Sequence, residues 1–231
     1  MCGRRLSACE HSICAGCLRS LPRVDYLGGE HHGVIERLFW GQLPVERATS
    51  MFYYQGEGVR RLVHAMKYFN RPRVGRDLGR IFATEMRDTD FFDGLDTIVP
   101  MPLHWLRKLE RGYNQSEEIA RGIADVTGLP VQTGWIRRKR YTQPQARLNP
   151  MTRNTNVRDA FELTGKNQNG GGKNILLVDD VLTTGSTLIS CGRELARIPG
   201  LRLSVFTLAY ASQLIDTGEE DLDFSFHAFP V

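Results

Sequence analysis

Two adjacent carboxylates, Asp179 and Asp180, precede a turn rich in hydroxyl groups within the stretch "ILLVDDVLTTGSTLIS". The apolar run over residues 175–179 predicts a buried strand that ends in the first acid. A helix that begins near Ser186 would point the positive end of its dipole at the turn. A glycine lets the backbone turn tightly and expose its N–H groups, so the segment predicts a phosphate-binding loop. The residues of this predicted loop are Thr183, Thr184, Gly185, Ser186 and Thr187.

The ligand implied by this arrangement is a sugar phosphate. A carboxylate beside a bound phosphate would repel it, unless the carboxylate faces another part of the same ligand. A ribose diol meets that requirement, because its hydroxyls can donate hydrogen bonds to Asp179 and Asp180. The stretch contains no Gly-Lys-Ser/Thr element, which excludes a Walker-type nucleotide loop. The alternative interpretation is that one of the acids only caps the helix that follows.

Strands alternate with helices between residues 46 and 211, which predicts an α/β domain with a mostly parallel sheet and helices on both faces. Ligands of such sheets bind beyond the carboxyl ends of the strands, so the loops after Val99 and Asp179 are the candidate binding loops. Beyond the first of these loops, Asn114 as N-terminal cap and Gly128 as C-terminal cap bound a predicted helix.

The 231 residues carry a net charge of +4, which is too mild to indicate nucleic-acid binding by itself. Residues 1–45 predict a small cysteine-rich, knuckle-like segment and a connector, whereas residues 212–231 form a tail that no pattern assigns. No stretch approaches the roughly 18 apolar residues of a membrane span, and the N-terminal segment lacks the apolar core of a secretory signal. A cytoplasmic location is therefore the default expectation.

Four of the five cysteines lie within the first 17 residues. Such clustering in a chain without a secretory signal predicts a metal site more readily than disulfide bonds. The candidate metal ligands are Cys2, Cys9, Cys14 and Cys17. Cys191 stands alone on the apolar side of a predicted helix, and we expect it to be a buried small hydrophobic residue.

The stretch around the acid pair resembles the phosphoribosyl pyrophosphate (PRPP) motif of type I phosphoribosyltransferases. Nearly all of the remaining chain resembles one branch of that superfamily, the ComF family of competence-associated proteins. The segment "VPMPLHWLRKLERGYNQSEEIA" is similar to the family's proline-bounded loop and to its Arg-Gly-aromatic-Asn-Gln element, here at residues 111–115. The basic segment that follows is similar to the family's Thr-x-x-Gln and Arg-x-x-Asn pattern, at Thr142, Gln145, Arg153 and Asn156.

The N-terminal cysteines resemble the zinc knuckle of the same family, in which two Cys-x-x-Cys pairs are common. Cys14 and Cys17 match one pair, and Cys2 matches a member of the other pair. The resemblance implies a structural zinc ion, and tetrahedral coordination requires a fourth ligand. This ligand is expected to be Cys9, His11 or a cysteine before Met1 that would complete the pair of Cys2.

The resemblance implies transfer of the phosphoribosyl group from PRPP to an unknown nitrogen acceptor, with release of pyrophosphate. Asp179 and Asp180 would hold the ribose hydroxyls as the catalytic residues, and the turn at 183–187 would bind the 5′-phosphate. The loop with Met101 and Pro102 would approach the pyrophosphate. Mg²⁺ would bridge oxygens of the substrate rather than occupy a site made only of protein ligands. The candidate cations for the leaving group are Arg107, Lys108 and Arg111.

A non-enzymatic DNA-uptake factor is the main alternative that the resemblance leaves open. Such a protein would bind single-stranded DNA and a helicase or recombination partner, with an affinity that falls steeply as the salt concentration rises. The basic segment at 137–153, which in an enzyme would close over the ligand, would then contact phosphates. Aromatic residues near it would stack on bases. These aromatic residues are Trp105, Tyr113, Trp135 and Tyr141. A regulatory PRPP sensor is a third alternative.

Overall fold

The computed structural model describes residues 2–8, 10–26, 32–69, 71–139, 160–167 and 170–211. The helices are α1 (Ala15–Arg19), α2 (His32–Arg37), α3 (Gly56–Tyr68), α4 (Pro72–Glu85), α5 (Trp105–Arg111), α6 (Gln115–Thr127) and α7 (Ser186–Leu195). The strands are β1 (Ala48–Tyr53), β2 (Thr97–Pro100), β3 (Ile136–Arg138), β4 (Phe161–Leu163), β5 (Asn174–Leu182) and β6 (Arg202–Tyr210). Within these ranges, no helix is both long and apolar enough to span a membrane.

Four parallel strands form the central sheet in the order β1-β6-β5-β2. β5 pairs with β2 up to the pair Val178–Pro100, and with β6 as far as the pair Leu182–Tyr210. A parallel bridge at Val131 extends the sheet beyond β2, whereas β3 and β4 form a separate antiparallel pair. The mostly parallel sheet expected from the sequence is confirmed.

Helices cover both faces of the sheet, as the sequence predicts. Leu176 and Val178 of β5 pack into a core with α3, α4 and α6, while Ile175 and Leu177 pack into a second core with α2 and α7. Successive side chains of a strand point to opposite faces. A continuous run of buried residues such as 175–178 therefore belongs to a strand that is covered on both sides.

Two glycines let α4 and α6 approach more closely than side chains would permit. A Cβ atom at Gly122 would lie 2.0 Å from the carbonyl oxygen of Arg76, and one at Gly79 would lie 2.3 Å from the carbonyl oxygen of Ile119. The guanidinium of Arg76 also forms two hydrogen bonds of 2.8 Å with the Asp125 carboxylate across this contact. The close packing fixes the position of α6, which begins beside the acid pair.

The strand that carries the acid pair is longer than the sequence predicts. The prediction ended the strand at Asp179, but β5 continues to Leu182 because β6 goes on pairing with it, for example between Asp179 and Thr207. β2 stops at Pro100, so among the described residues this last part of β5 has a strand neighbour on one side only. The acids therefore lie within a strand, and neither caps α7, whose N-terminal cap is Gly185.

Candidate functional site

β2 and β5 are paired in parallel, and their carboxyl ends lie side by side. α6 comes after β2 along the chain and packs on one face of the sheet, whereas α7 follows β5 and packs on the other face. In parallel sheets, such a reversal between neighbouring strands opens a cleft at their carboxyl ends, where ligands bind. The acid pair lies at this position.

The two acids engage different parts of the fold. Asp179 Oδ1 accepts a hydrogen bond from the Ser116 hydroxyl at 3.0 Å and another from the backbone N–H of Asp180 at 2.9 Å. Asp180 forms an ion pair with Lys67, with 3.1 Å between Oδ2 and Nζ. The side chains of Lys67 and Asp180 are 24% and 16% exposed, so the ion pair is shielded yet reachable from solvent. The acid pair thus ties β5 to the start of α6 and to the end of α3.

Burial and the neighbouring charge of Asp180 raise the pKa of Asp179 to about 7. The hydrogen bonds from the Asp180 N–H and from Ser116 act in the opposite direction, as does the Lys67 ammonium. Burial disfavours the charged form of Lys67, but the Asp180 carboxylate outweighs this effect and raises the pKa of the lysine. Near neutral pH, the site therefore holds a carboxyl group that can gain or lose a proton beside a permanent ammonium ion.

The predicted phosphate-binding turn directly follows β5. Gly185 adopts a φ of +75°, a left-handed conformation that favours glycine, and α7 begins at the next residue. The hydroxyls of Thr184 and Ser186 lie 3.1 Å apart, and Thr183 and Thr184 are exposed. The structure therefore places the predicted turn residues together at the N-terminus of a helix, with only Val181 and Leu182 between them and Asp180.

The loop after β2 is fastened next to the acid pair. The N–H of Met101 donates to the carbonyl of Val178 at 2.8 Å, and the carbonyl of Met101 accepts a hydrogen bond from Asn114 Nδ2 at 2.9 Å. Asn114 also caps α6, as the sequence predicts, by accepting the N–H of Ser116 at 3.2 Å. Met101 is buried and Pro102 is half-buried. Because the N–H of Met101 is occupied and proline has none, these two residues fix the loop rather than offer backbone donors.

Two of the three cations predicted on α5 are directed at neighbouring helices. Lys108 Nζ lies 3.8 Å from a carboxylate oxygen of Glu117 in α6. Arg111 donates to the side-chain oxygen of Gln115 at 3.1 Å, and its guanidinium lies over the Tyr68 ring, 5.7 Å from the centroid. These contacts hold α5 against α3 and α6.

The charge of the third cation, Arg107, affects the pKa of Arg138 in β3. Burial and then the charge of Arg107 lower the pKa of Arg138, whereas the charge of Asp179 acts to raise it. Arg138 is therefore within electrostatic range of both Arg107 and the first acid. The sequence placed Arg138 only within a broad basic segment, and the structure brings it within electrostatic range of Asp179.

Lys67 and Ser116 are residues of the site that the sequence did not reveal. Lys67 lies outside the apolar stripe of α3, like any solvated lysine of a helix. Ser116 lies in the first turn of α6, where serine is common for reasons of capping alone. Ser116 is 63 positions from Asp179 along the chain, and Lys67 is farther still from Asp180. Only the packing of the helices on the sheet brings them to the acids.

Three of the four candidate metal ligands lie together near the N-terminus. The Sγ atoms of Cys2, Cys14 and Cys17 are all within 4.8 Å of one another, and those of Cys2 and Cys14 are 3.6 Å apart. Zinc with Zn–S bonds of ~2.3 Å and tetrahedral angles separates its sulfur ligands by about 3.8 Å, so this set fits three of the four positions. The N–H of Cys17 donates to Cys14 Sγ and lowers the pKa of that thiol to about 7, which favours the thiolate. Cys9 lies outside the described residues.

The other residues predicted to have a role are either buried, exposed or outside the described residues. Trp135 is 4% exposed and belongs to the core, so it is not available for stacking, whereas Trp105 is 65% exposed. Cys191 is fully buried, as predicted. The tail at 212–231 and the segment at 140–159 lie outside the described residues. The predicted residues in that segment are Tyr141, Thr142, Gln145, Arg153 and Asn156.

No protein-family model matches the chain, but several known proteins match almost all of it. The chain is 33% identical to "DNA utilization protein YhgH" of Salmonella typhimurium over 218 residues, which cover 90% of this chain and 94% of that protein. It is 27% identical to "Competence protein F" of Haemophilus influenzae, over 91% of this chain and 95% of the relative. It is 26% identical to "Competence protein ComFC" of Bacillus subtilis, over 90% of this chain and 75% of that relative.

Solved structures with a similar arrangement include an adenine phosphoribosyltransferase, which is 17% identical and has a TM-score of 0.42 over 63% of this chain and 75% of that one. Glutamine PRPP amidotransferase from Bacillus subtilis is 20% identical, with a TM-score of 0.40 over 62% of this chain and 30% of that one. These distant likenesses carry no weight in the assignment, which rests on the full-length relatives. Because one of these is 33% identical over nearly its whole length, the chain belongs to the ComF family of competence proteins.

Proposed function

We propose that this protein binds PRPP at the carboxyl ends of β2 and β5 and transfers its phosphoribosyl group to a nitrogen acceptor, with release of pyrophosphate. The observation that carries the proposal is the acid pair at the end of β5, which is followed two residues later by a hydroxyl-rich turn and a helix N-terminus. A ribose 5-phosphate group needs both features, acceptors for its diol and donors for its phosphate. The names of the relatives support a setting of competence and DNA utilization.

Each part of the site has a distinct task in this reaction. Asp179 and Asp180 accept hydrogen bonds from the ribose hydroxyls, and the turn at 183–187 binds the 5′-phosphate. As the bond between ribose C1 and the pyrophosphate oxygen breaks, positive charge develops on the ring and negative charge on the leaving group. The carboxylates stabilise the first charge, and Arg107 with Arg138 stabilises the second. Because both ends of the sugar are held, the reacting carbon is also oriented for attack by the acceptor.

Mg²⁺ would be held mainly through oxygens of the substrate. This ion retains several waters and binds phosphate oxygens together with one or two carboxylates, so it does not need a cage made of protein groups. Among the described residues, the only cluster of three or more potential metal ligands is that of the N-terminal cysteines, which supports this role for the substrate. When bound, the ion neutralises charge on the departing pyrophosphate.

Calorimetric titration of PRPP, with and without Mg²⁺, tests the proposal. We expect the wild type to bind PRPP in the presence of Mg²⁺. Asp180→Asn should weaken binding about tenfold or more, because it removes a charged acceptor of the diol. Asp88→Asn is the matched control, since this exposed acid lies in the connection between α4 and β2, before the amino end of β2. Absence of PRPP binding by the wild type would refute the proposal, and release of pyrophosphate with candidate acceptors would separate a transferase from a sensor.

Binding of single-stranded DNA is a second candidate function, favoured by the surface of α5. Trp105 and Leu109 are 65% and 79% exposed, and their spacing of four residues places them on one side of the helix. Arg107 and Lys108 lie on the same short helix. Exposed aromatic rings combined with cations are the groups that bind the bases and phosphates of a single strand. In this function, the protein would act in DNA uptake with a helicase or recombination partner.

Titration of a labelled oligonucleotide over a range of salt concentrations tests this second function. We expect the affinity to fall as salt rises, because phosphate contacts release counterions. Trp105→Ala should weaken binding about fivefold or more, since stacking contributes roughly 1–3 kcal/mol per base. Trp40→Ala is the control, because Trp40 is 66% exposed but lies outside α5. Equal affinities of the wild type and Trp105→Ala would reject α5 as the DNA-binding surface.

A further inference from the structure

The Arg-Gly-Tyr-Asn-Gln element at 111–115 connects the end of α3 to the start of α6. The hydroxyl of Tyr113 and the side-chain amide of Gln115 both donate to the carbonyl oxygen of Met66, the amide at 3.3 Å. Arg111 in turn donates to Gln115 at 3.1 Å. Met66 and Gln115 are 0% and 2% exposed, so two donors hold this carbonyl in the interior of the protein.

The residue that follows this carbonyl is Lys67, the partner of Asp180. α3 ends one residue later, at Tyr68, so the carbonyl of Met66 is one of the terminal groups without a partner inside the helix. Tyr113 and Gln115 provide that partner. Their contact fixes the last turn of α3, and with it the direction in which the Lys67 side chain leaves the helix.

The acid pair needs a counter-ion for an electrostatic reason. Two adjacent carboxylates that are shielded from solvent repel each other, and the repulsion favours protonation of one of them. Lys67 lies at ion-pair distance from Asp180 and also favours the charged form of Asp179. Other charged or titratable groups that act on this cluster are Arg111, Arg138 and Cys191.

We propose that Lys67 is a positioning residue that orients the Asp180 carboxylate for the ribose diol, and that Tyr113 and Gln115 hold Lys67 in place. The inference rests on the proposed PRPP-binding function. It gives the Arg-Gly-Tyr-Asn-Gln element a physical task other than contact with the ligand. The element braces α3 against α6, so that the acid pair on β5 meets its cation.

Binding of PRPP and of ribose 5-phosphate to the full-length protein tests the assignment, because both ligands carry the diol and the 5′-phosphate but only PRPP carries pyrophosphate. Lys67→Met should lower the affinities for PRPP and for ribose 5-phosphate by the same factor, about tenfold to hundredfold. Lys67→Arg retains the cation and should recover most of this loss. The affinities of Tyr113→Phe for the two ligands should lie between those of the wild type and those of Lys67→Met. Tyr26→Phe is its control, because it removes a hydroxyl that donates to Asp90 away from the cleft.

A loss confined to PRPP would overturn the proposal, because Lys67 would then contact the pyrophosphate instead of positioning Asp180. Unchanged binding of both ligands by Lys67→Met would overturn it as well. A double-mutant cycle of Lys67→Met and Asp180→Asn, measured as shifts in Tm without ligand, separates this failure from failure of the proposed function. If the wild type binds neither sugar but the cycle shows coupling, the PRPP role fails while the pairing stands. Additive shifts in Tm would reject the pairing itself.

Discussion

The Ser116 hydroxyl donates a hydrogen bond to Asp179 across 3.0 Å and thereby joins the first turn of α6 to the carboxyl end of β5. Asn114, two residues earlier, binds the loop after β2 through the carbonyl of Met101. The start of one helix therefore fixes both strand ends that border the cleft. Because the contact between α4 and α6 sets the position of α6, it also affects the positions of Ser116 and Asn114 in the site.

Ser116→Ala is expected to raise the pKa of Asp179 above its value of about 7, because the hydrogen bond from Ser116 favours the charged carboxylate. Ligand binding that needs this carboxylate would then require a higher pH. Titration of the Asp179 carboxyl carbon by NMR measures the shift directly. Ser116→Thr retains a hydroxyl and serves as the control. An unchanged titration midpoint in Ser116→Ala would contradict the prediction.

Asp179→Asn is expected to make the protein more stable above neutral pH while it weakens ligand binding. The pKa of Asp179 in the folded protein, about 7, lies above the ordinary value of 3.8, so the folded state holds this proton more tightly than the unfolded chain. The contribution of the Asp179 proton to the free energy of unfolding is therefore fully present below about pH 4 and is lost as the pH rises to about 7. Asparagine does not ionise, so the gain in Tm should be absent at low pH and complete above neutrality. Thermal unfolding across this range checks the prediction, and a gain independent of pH would oppose it.

Gly122→Ala is expected to destabilise the protein by about 3 kcal/mol, because the new Cβ would require α4 and α6 to separate. It would lie 2.0 Å from the carbonyl oxygen of Arg76. Since α6 carries Ser116, ligand binding should weaken together with stability. Urea unfolding measures the change. Gly165→Ala is the control, because it adds the same methyl group where no atom lies within 4 Å. Similar losses in both variants would show that the helix contact is not the cause.

Zinc is expected to bind at the cysteine cluster in a one-to-one ratio, and its removal by a chelator should lower the Tm, because structural zinc contributes folding free energy. Elemental analysis measures the metal content. Cys14→Ser and Cys17→Ser should each lose most of the zinc, whereas Cys191→Ser should retain it, since Cys191 is buried against the sheet. Full zinc content in a variant with both Cys14 and Cys17 replaced would disprove the site.

The fourth zinc ligand can be identified by two further variants, Cys9→Ser and His11→Ala. Tetrahedral coordination requires one more ligand than Cys2, Cys14 and Cys17 supply. We expect one of the two variants to bind zinc more weakly and the other to match the wild type. Retention of tight binding in both would mean that another group completes the site.

The relative placement of the acid pair and the hydroxyl-rich turn could be predicted from the sequence because they lie within one short stretch of chain. Only Val181 and Leu182 separate Asp180 from the turn at 183–187, so chain connectivity alone keeps the acids near the helix N-terminus. The alternation of strand and helix patterns likewise predicted the parallel sheet. The end of β5 was not predictable, because polar acids are typical of a strand terminus, whereas continued pairing with β6 carries the strand to Leu182.

Only the tertiary structure decided which distant groups meet the acid pair. Hydrophobic periodicity indicates which face of a helix is buried, but it does not indicate which helix end lies against which strand. Lys67 and Ser116 are polar residues without any local mark of function. They reach the acids because Gly79 and Gly122 let α4 and α6 pack closely and because Tyr113 holds the end of α3. Contacts of this kind depend on distances between elements, and close packing across the whole core sets those distances.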